Sequence, residues 1–276
     1  MIEFIGSVFN LSVLVFVVAT MLSMGLALNL SQIVKPLKKP ILVLDVIVTN
    51  FMIIPLATLG IASLLPIDEG VKIGLVIVSL SAGAPFTPKL VEIAKSDTAL
   101  ATAVMLLLMV VTVILLPIGL PIMLGGDVNV DSGAIAKSLV IMMIFPLAIG
   151  LFIKSKAEDF AKKWQGKMVK LSNMALLAII ILLVILNGKA MINFIGYGLL
   201  AVIVFMFVSL VIGFVAGGKM YEKRVVSSLA AAQRNISAAL VVAAQNFENP
   251  NVTVTIIAVS VVGLFILLFS AKKFAR

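Results

Sequence analysis

The chain has 276 residues, of which 62% are hydrophobic and 12% are charged, and its mean hydropathy is +1.27. Runs of about 20 apolar residues recur along it, which is typical of a polytopic helical membrane protein in a lipid bilayer and excludes a soluble domain. The sequence has no cysteine and no histidine, which excludes disulfides, thiolate or imidazole metal sites and Ser-His catalysis, so we do not expect an enzyme. The formal charge of +9 does not indicate nucleic-acid binding, because the basic residues lie in loops between apolar runs.

Polar interruptions divide the sequence into nine hydrophobic segments, each predicted to be a transmembrane helix. The segments are residues 5–30, 40–64, 71–95, 98–124, 133–153, 169–187, 190–217, 225–246 and 252–271. Lysine and arginine concentrate in alternate loops, and the positive-inside rule places those loops in the cytoplasm. The N-terminus is therefore predicted to lie outside and the C-terminus inside, in what the short loops indicate is a bacterial inner (plasma) membrane.

The longest basic loop, residues 154–170, is too polar to cross the bilayer. It carries Phe160, Trp164 and Met168 at helical spacing. An amphipathic helix of this kind binds at the interface, so this loop is predicted to lie along the membrane surface.

The third segment is interrupted at its centre. Gly83, Pro85 and Pro88 fall within six residues, and each proline removes a backbone donor. Irregular backbone at membrane depth is tolerated only where it lines a cavity or is covered by protein. The third segment is therefore predicted to be a broken helix.

The eighth segment has a polar cluster at its centre, made of Gln233, Arg234, Asn235 and Ser237. Arginine keeps its proton when it is buried, and a charge at bilayer depth usually marks a functional site. The third and eighth segments enter the membrane from opposite sides, and interrupted segments paired in this way are typical of transporters with inverted repeats. The alternative is a kinked structural helix that carries a few polar residues.

Four stretches of the chain together resemble the bile acid:sodium symporter family, that is, solute carrier family 10 and its bacterial relatives. They are MLSMGLALNL (Met21 to Leu30), VTNFMIIP (Val48 to Pro55), SAGAPFTPKLVEIAKSDTAL (Ser81 to Leu100) and AAAQRNISAAL (Ala230 to Leu240). The resemblance implies nine helices in inverted repeats (4+5), with two broken helices that cross at the membrane midplane. It also implies one transporter domain over 1–276, in a panel and core arrangement, with repeat one over 1–124 and repeat two over 131–276.

Members of that family typically bind two sodium ions near the crossover. By resemblance, Asn50 stands for a ligand glutamine, Thr87 stands for the crossover serine, and Asn235 is an unchanged ligand. These three residues are the weak candidates for a sodium site, and Pro88 replaces the asparagine next to the crossover serine.

Other family ligands are replaced by residues that cannot bind sodium. Ala101 and Met105 stand where hydroxyl ligands are expected, Ala230 replaces a glutamate, and Arg234 replaces a glutamine. A hard cation needs several oxygens and preferably a carboxylate, so these changes indicate degenerate sodium sites. A sodium ion 4 Å from the guanidinium would be repelled by about 4 kcal/mol at an effective dielectric constant of 20.

Two compatible hypotheses explain why an arginine stands at position 234, in the middle of an apolar segment. In the first, it binds the anionic group of the substrate, with help from helix N-termini. In the second, its guanidinium takes the structural place of a sodium ion, and transport is independent of sodium. The alternatives are a locked structural charge without a transport cycle, and sodium coupling at a rearranged site that uses Thr87, Asn50, Asn235 and Gln233.

Asp45 and Glu92 are the candidates for a counter-ion or a proton carrier, because a buried arginine needs an opposite charge or hydrogen-bond acceptors. The alternative for Asp45 is a carboxylate at the interface that pairs with Lys38 or Lys39.

The sequence thus predicts a secondary transporter of a small organic anion, bile-acid-like or carboxylate-like, which works by alternating access. No cofactor is expected beyond a coupling ion, either Na+ or H+. The alternatives are a sodium-coupled symporter with a rearranged site, and a channel or sensor on the same fold. The sequence leaves the oligomeric state open.

Overall fold

The computed structural model describes residues 2–29, 40–125 and 131–275, and the regular structure of these residues is helical throughout. Within these ranges, eight helices are long and apolar enough to cross a membrane. They are Ile5–Ala27, Pro40–Leu64, Thr98–Leu124, Ser132–Lys156, Glu158–Phe194, Tyr197–Ala216, Tyr221–Asn246 and Pro250–Phe274. The prediction of an all-helical membrane protein is confirmed.

We number the α-helices of the described residues in chain order. They are α1 (Ile2–Ala27), α2 (Pro40–Val48), α3 (Ile54–Leu64), α4 (Glu69–Leu80), α5 (Thr87–Ile93), α6 (Thr98–Leu124), α7 (Ser132–Leu139), α8 (Phe145–Lys156), α9 (Glu158–Phe194), α10 (Tyr197–Ala216), α11 (Tyr221–Ala232), α12 (Ile236–Asn246) and α13 (Pro250–Phe274). Two π-helical turns, Thr49–Ile53 and Val140–Ile144, join α2 to α3 and α7 to α8.

The third predicted segment is divided between α4 and α5, neither of which is long enough to cross a bilayer. The first linker, residues 81–86, separates them. Gly83 in this linker has φ +79°, and a Cβ at this position would lie 2.6 Å from the Cα of Met109 on α6. Glycine is thus needed both for the backbone conformation and for the close approach of α6. For this reason the structure has eight sufficiently long helices where the sequence predicts nine.

The eighth predicted segment, counted above as the single span Tyr221–Asn246, is also interrupted, although it has neither glycine nor proline at its centre. Helix α11 ends at Ala232, the second linker follows at residues 233–235, and α12 begins at Ile236. The side chain of Asn235 caps α12 by accepting a hydrogen bond from the backbone N of Ala238 at 3.1 Å. The N-cap asparagine therefore starts a new helix in the middle of an apolar segment.

The observed bounds of α9 and α10 differ from the predicted bounds of the sixth and seventh segments. Residues 158–170 of the loop predicted to lie along the membrane surface belong to the same helix as the sixth segment, whereas residues 154–156 end α8. The first non-helical dihedrals inside α9 are at Asn187 (φ −130°, ψ 30°). At 1.5 Å per residue, the part of α9 before Asn187 is about 44 Å long, against about 30 Å for the hydrocarbon core. The basic beginning of α9 therefore extends the helix beyond the hydrocarbon rather than turning along its surface. The seventh segment, predicted from residue 190, begins as α10 at Tyr197.

The helices pack in two groups that meet at the linkers. Helix α1 packs against α8 and α9, whereas α4 packs against α13 and α10 packs against α11. The contact between α1 and α8 is close, because a Cβ on Gly25 would lie 2.9 Å from the Cα of Gly150. Helix α12 contacts both α1 and α13, so the second linker lies next to the boundary between the two groups.

Candidate functional site

The two linkers contact each other through Asn235. Its backbone N donates to the carbonyl of Ser81 at 2.8 Å, and its Nδ2 donates to the carbonyl of Gly83 at 3.2 Å. Because its Oδ1 caps α12, both side-chain polar atoms of this fully buried residue are engaged. Asn235 therefore fastens the second linker to the first, and its amide oxygen is already used.

Thr112 on α6 satisfies the backbone of the first linker. Its Oγ1 accepts from the N of Ala82 and donates to the carbonyl of Ala82, at 3.0 Å in each case. The sequence pattern does not single out this residue, because Thr112 is one hydroxyl inside a long apolar helix. The pairing matters because buried backbone groups outside regular helices need hydrogen-bond partners.

The Arg234 side chain is buried, with 2% of the residue exposed. Its Nη1 donates to the carbonyl of Ser79 at 3.2 Å, and its Cζ lies 5.9 Å from the centre of the Phe205 ring. Nε and Nη2 have no hydrogen-bond partner among the described residues. These two nitrogens form one edge of the planar guanidinium, with parallel N–H bonds that match the two oxygens of a carboxylate.

A cavity of about 300 Å³ contacts the second linker, and we call it the Arg234 cavity. Gln233, Arg234, Asn235 and Ser237, which form the polar cluster seen in the sequence, all line it. Residues of α1 and α9 also line it. The structure thus brings the polar cluster of the eighth segment to one cavity between the two groups of helices.

A second cavity, of about 420 Å³, shares several lining residues with the Arg234 cavity, and we call it the Pro88 cavity. Pro88 at the start of α5 and Gln165 on α9 line it. Thr87, which precedes Pro88, is buried at the first position of α5. Since Gln165 lies in the basic part of α9, the two adjoining cavities extend from the second linker towards the basic side of the bundle.

Asn50 lies in a different cavity, of about 680 Å³, which we call the Asn50 cavity. Asp45, Lys219, Lys223 and Ser227 also line it, and it shares no lining residue with the Arg234 cavity. The Nδ2 of buried Asn50 donates to the carbonyl of Val46 at 3.0 Å, whereas its Oδ1 has no partner among the described residues. The structure therefore does not bring Asn50 to the same cavity as the polar cluster.

Neither predicted counter-ion pairs with Arg234. Glu92 forms an exposed ion pair with Lys89 at 2.9 Å. Asp45 faces the Asn50 cavity and has no ion pair within 4.0 Å in the described ranges. Both carboxylates lie away from Arg234. Glu92 is near the end of α5, on the basic side of the bundle, and Asp45 is on α2, which lines another cavity. The predicted alternative partners of Asp45, Lys38 and Lys39, lie outside the described residues.

Comparisons with known proteins identify the family. The profile described as "Sodium Bile acid symporter family" matches residues 13–194, which is more than half of the chain. Over 140 residues (51% of the chain), the sequence is 24% identical to "Uncharacterized sodium-dependent transporter YocS" of Bacillus subtilis (strain 168). Over 148 residues (54% of the chain), it is 23% identical to "Probable sodium/metabolite cotransporter BASS3, chloroplastic" of Arabidopsis thaliana. These matches span 44% and 34% of the two relatives, which is less than half the length of each. The chain belongs to the sodium bile acid symporter family.

Proposed function

We propose that this protein is a secondary transporter that moves a small organic anion across the membrane by alternating access, and that Arg234 binds the carboxylate of that anion. The observation that carries the proposal is a buried guanidinium whose Nε and Nη2 have no partner among the described residues, on a residue that lines a cavity. An unsatisfied buried donor costs about 1–3 kcal/mol, and more when it is charged. A carboxylate removes this cost with two charge-assisted hydrogen bonds.

The proposal includes nine membrane crossings, made by the eight long helices together with α4 and α5 as one crossing. Repeat one (1–124) would then mirror repeat two (131–276), with α4 and α5 corresponding to α11 and α12. The contact of the two linkers through Asn235 and Ser81 supports this arrangement, as does the concentration of basic residues in alternate loops. In this topology the N-terminus is outside, the C-terminus is in the cytoplasm, and the membrane is the bacterial inner membrane.

The contacts of Arg234 favour substrate binding over a purely structural replacement of sodium. A guanidinium that replaced a structural sodium ion would donate to several carbonyls of the linkers. Arg234 instead donates to one carbonyl, that of Ser79 in the last turns of α4. Asn235 and Thr112 satisfy the linker backbone without it. The remaining edge of Arg234 has no partner among the described residues and is itself buried, so a ligand would reach it when the helices around the Arg234 cavity move apart during the transport cycle.

Sodium-coupled symport at a rearranged site is the second candidate function, and one observation favours it. Asn50, whose buried Oδ1 has no partner among the described residues, lines a cavity that is also lined by Asp45 and Ser227. Oxygen ligands of this kind suit a hard cation, and the relatives are named as sodium-dependent or sodium/metabolite transporters. Such a site would lie in the Asn50 cavity and not beside the charged Arg234.

The proposal is tested by ligand binding and transport with the purified protein. Carboxylates should raise the Tm of the wild type in proportion to the logarithm of concentration over affinity, and Arg234→Gln should abolish the shift. Arg224→Gln is the matched control, because Arg224 stacks on Phe214 away from the Arg234 cavity. An equal Tm shift in wild type and Arg234→Gln would refute carboxylate binding at Arg234.

Uptake into proteoliposomes separates the modes of transport. Accumulation of the anion against its gradient is expected for a transporter, whereas simple equilibration would indicate a channel. Uptake that strictly requires a sodium gradient, and that Asn50→Leu abolishes, would establish the second candidate. Uptake that follows a pH gradient and loses this dependence in Asp45→Asn would identify H+ as the coupling ion.

A further inference from the structure

Helices α1 and α9 contribute three polar side chains to the lining of the Arg234 cavity, Thr20, Ser172 and Asn173, which we call the polar wall. Thr20 on α1 and Ser172 on α9 are hydrogen-bonded to each other through their hydroxyl oxygens at 2.6 Å, and Thr20 also donates to the carbonyl of Phe16. Asn173, next to Ser172, is exposed and lines both the Arg234 cavity and the Pro88 cavity. Its amide forms no hydrogen bond with any described residue. Asn173 is therefore the side chain of this wall whose hydrogen-bonding groups are all available.

One described residue supplies charge to the two adjoining cavities. Among the described residues that line the Arg234 cavity and the Pro88 cavity, Arg234 is the one charged side chain, and none is an aspartate or a glutamate. A second carboxylate or an ammonium group on the substrate would find no counter-charge among these described residues. Removing an unpaired ion from water is costly, so the cavities suit a substrate with a single negative charge.

The remaining groups of the lining are neutral and partly apolar. Phe16, Leu176 and Met206 are apolar side chains that also line the Arg234 cavity. A cavity of about 300 Å³ holds on the order of ten water-sized groups at about 30 Å³ each, which suits a short chain. The lining of one cavity thus offers a cation, apolar side chains, and an amide that has no partner among the described residues.

We infer that Asn173 is a specificity-determining residue, which hydrogen-bonds a neutral polar group at the end of a monoanionic substrate whose carboxylate is bound by Arg234. This inference rests on the proposed function and specifies its substrate class. The amide of Asn173 has two donors and an acceptor, so it pairs with a hydroxyl or a carboxamide. A substrate that ends in a methyl group leaves this amide unpaired when the cavity closes around it, and it binds more weakly.

The test uses straight-chain acids of four to six carbons that differ only in their terminal group. The probes are butyrate, 4-hydroxybutyrate, succinate and 4-aminobutyrate, with the corresponding five- and six-carbon acids. Affinities are measured from the Tm shift of the purified full-length protein. For at least one chain length, the wild type should bind the hydroxy acid about tenfold more tightly than the methyl-terminated acid, and should bind the dicarboxylate and the amino acid more weakly than the hydroxy acid.

The variant Asn173→Leu removes the amide at nearly constant volume. It should bring the affinity ratio of hydroxy acid to methyl-terminated acid close to one and should leave binding of the methyl-terminated acid in place. The control is Asn10→Leu, because Asn10 is also exposed and lies on α1 outside the lining of all three cavities. This control should keep the tenfold ratio.

A second variant reverses the preference and keeps the test decisive if Asn173→Leu does not fold. Asn173→Lys supplies a second cation, so it should bind the dicarboxylate at least tenfold more tightly than the wild type does. An unchanged affinity for the dicarboxylate in this variant would overturn the inference.

The outcomes also separate the inference from the proposed function. If the wild type binds these acids, needs Arg234 to do so, and shows the same hydroxyl preference in Asn173→Leu, the role of Asn173 is wrong and the proposed function stands. If the wild type binds the dicarboxylate as tightly as the hydroxy acid, the inferred preference for a single charge is wrong. If carboxylates bind equally well to the wild type and to Arg234→Gln, the proposed function itself fails.

Discussion

The Nδ2 of Asn235, in the linker between α11 and α12, donates to the carbonyl of Gly83, in the linker between α4 and α5, at 3.2 Å. These residues are 152 positions apart in the sequence, and this bond joins two interruptions in different helices. Arg234, the neighbour of Asn235, lines the cavity beside this contact. The position of the proposed anion site therefore depends on the contact between the linkers.

We predict that Asn235→Ala destabilises the protein by about 2–3 kcal/mol, because it removes an N-cap and leaves the Gly83 carbonyl without its partner. The measurement is thermal unfolding in detergent, with Asn246→Ala as the control. Asn246 donates only to Val242 within its own helix, so its replacement should cost less. Equal losses of Tm in the two variants would show that the contact between the linkers adds no stability.

A second prediction concerns Thr112, which both donates to and accepts from Ala82. Thr112→Val keeps the shape of the side chain but leaves a buried N–H and a buried carbonyl unpaired, at a cost of about 2–4 kcal/mol. Thr112→Ser keeps the hydroxyl and should lose less Tm than the valine variant. If serine costs more than valine, the side chain acts through packing and its hydrogen bonds are secondary.

The third prediction concerns the first linker itself. Gly83→Ala should be strongly destabilising, because φ is +79° and the new methyl group would meet the backbone of Met109. Gly60→Ala is the matched control, since Gly60 lies inside α3 and a methyl group added there would have no atom within 4 Å. In that position alanine should be neutral or stabilise by up to about 1 kcal/mol. A similar Tm for both variants would contradict the close approach of α6.

The sequence predicts the interruption in the third segment because glycine and proline act through the local backbone. Gly83 and Pro85, closely followed by Pro88, together disfavour a continuous helix, so the position of the first linker follows from residue type. The second linker has no such residues. It depends on Asn235, whose partners Ser81 and Gly83 are distant in the sequence.

Features that depend on tertiary contacts were not predicted. Hydropathy could not predict that most of the basic loop is helical, because an exposed helix and a loop can have the same polar composition. The candidate site shows the same limit. Its polar cluster was predicted from one segment, whereas the separation of Asn50 into another cavity and the role of Asn173 depend on how several helices pack.

The last prediction concerns Gln245 on α12, which is hydrogen-bonded to Ser138 on α7 and donates to the Sδ of Met142 at 3.4 Å. These contacts join α12 to α7 and its π-helical turn at the end of the bundle away from Gln165 and Lys223. Under the proposed function, they hold that end closed while the Arg234 and Pro88 cavities extend towards the basic side. A cross-link between the two helices should therefore stop transport.

The sequence has no cysteine, so a thiol-specific reagent would react only with the two residues introduced by Ser138→Cys and Gln245→Cys. A short reducible bifunctional reagent applied to the double variant should reduce uptake at least tenfold, and dithiothreitol should restore it. Each single variant treated in the same way is the control and should keep its uptake. A covalent link between two helices that move apart must block the rearrangement that alternating access requires. Full transport by the cross-linked protein would therefore show that α7 and α12 do not separate during the cycle.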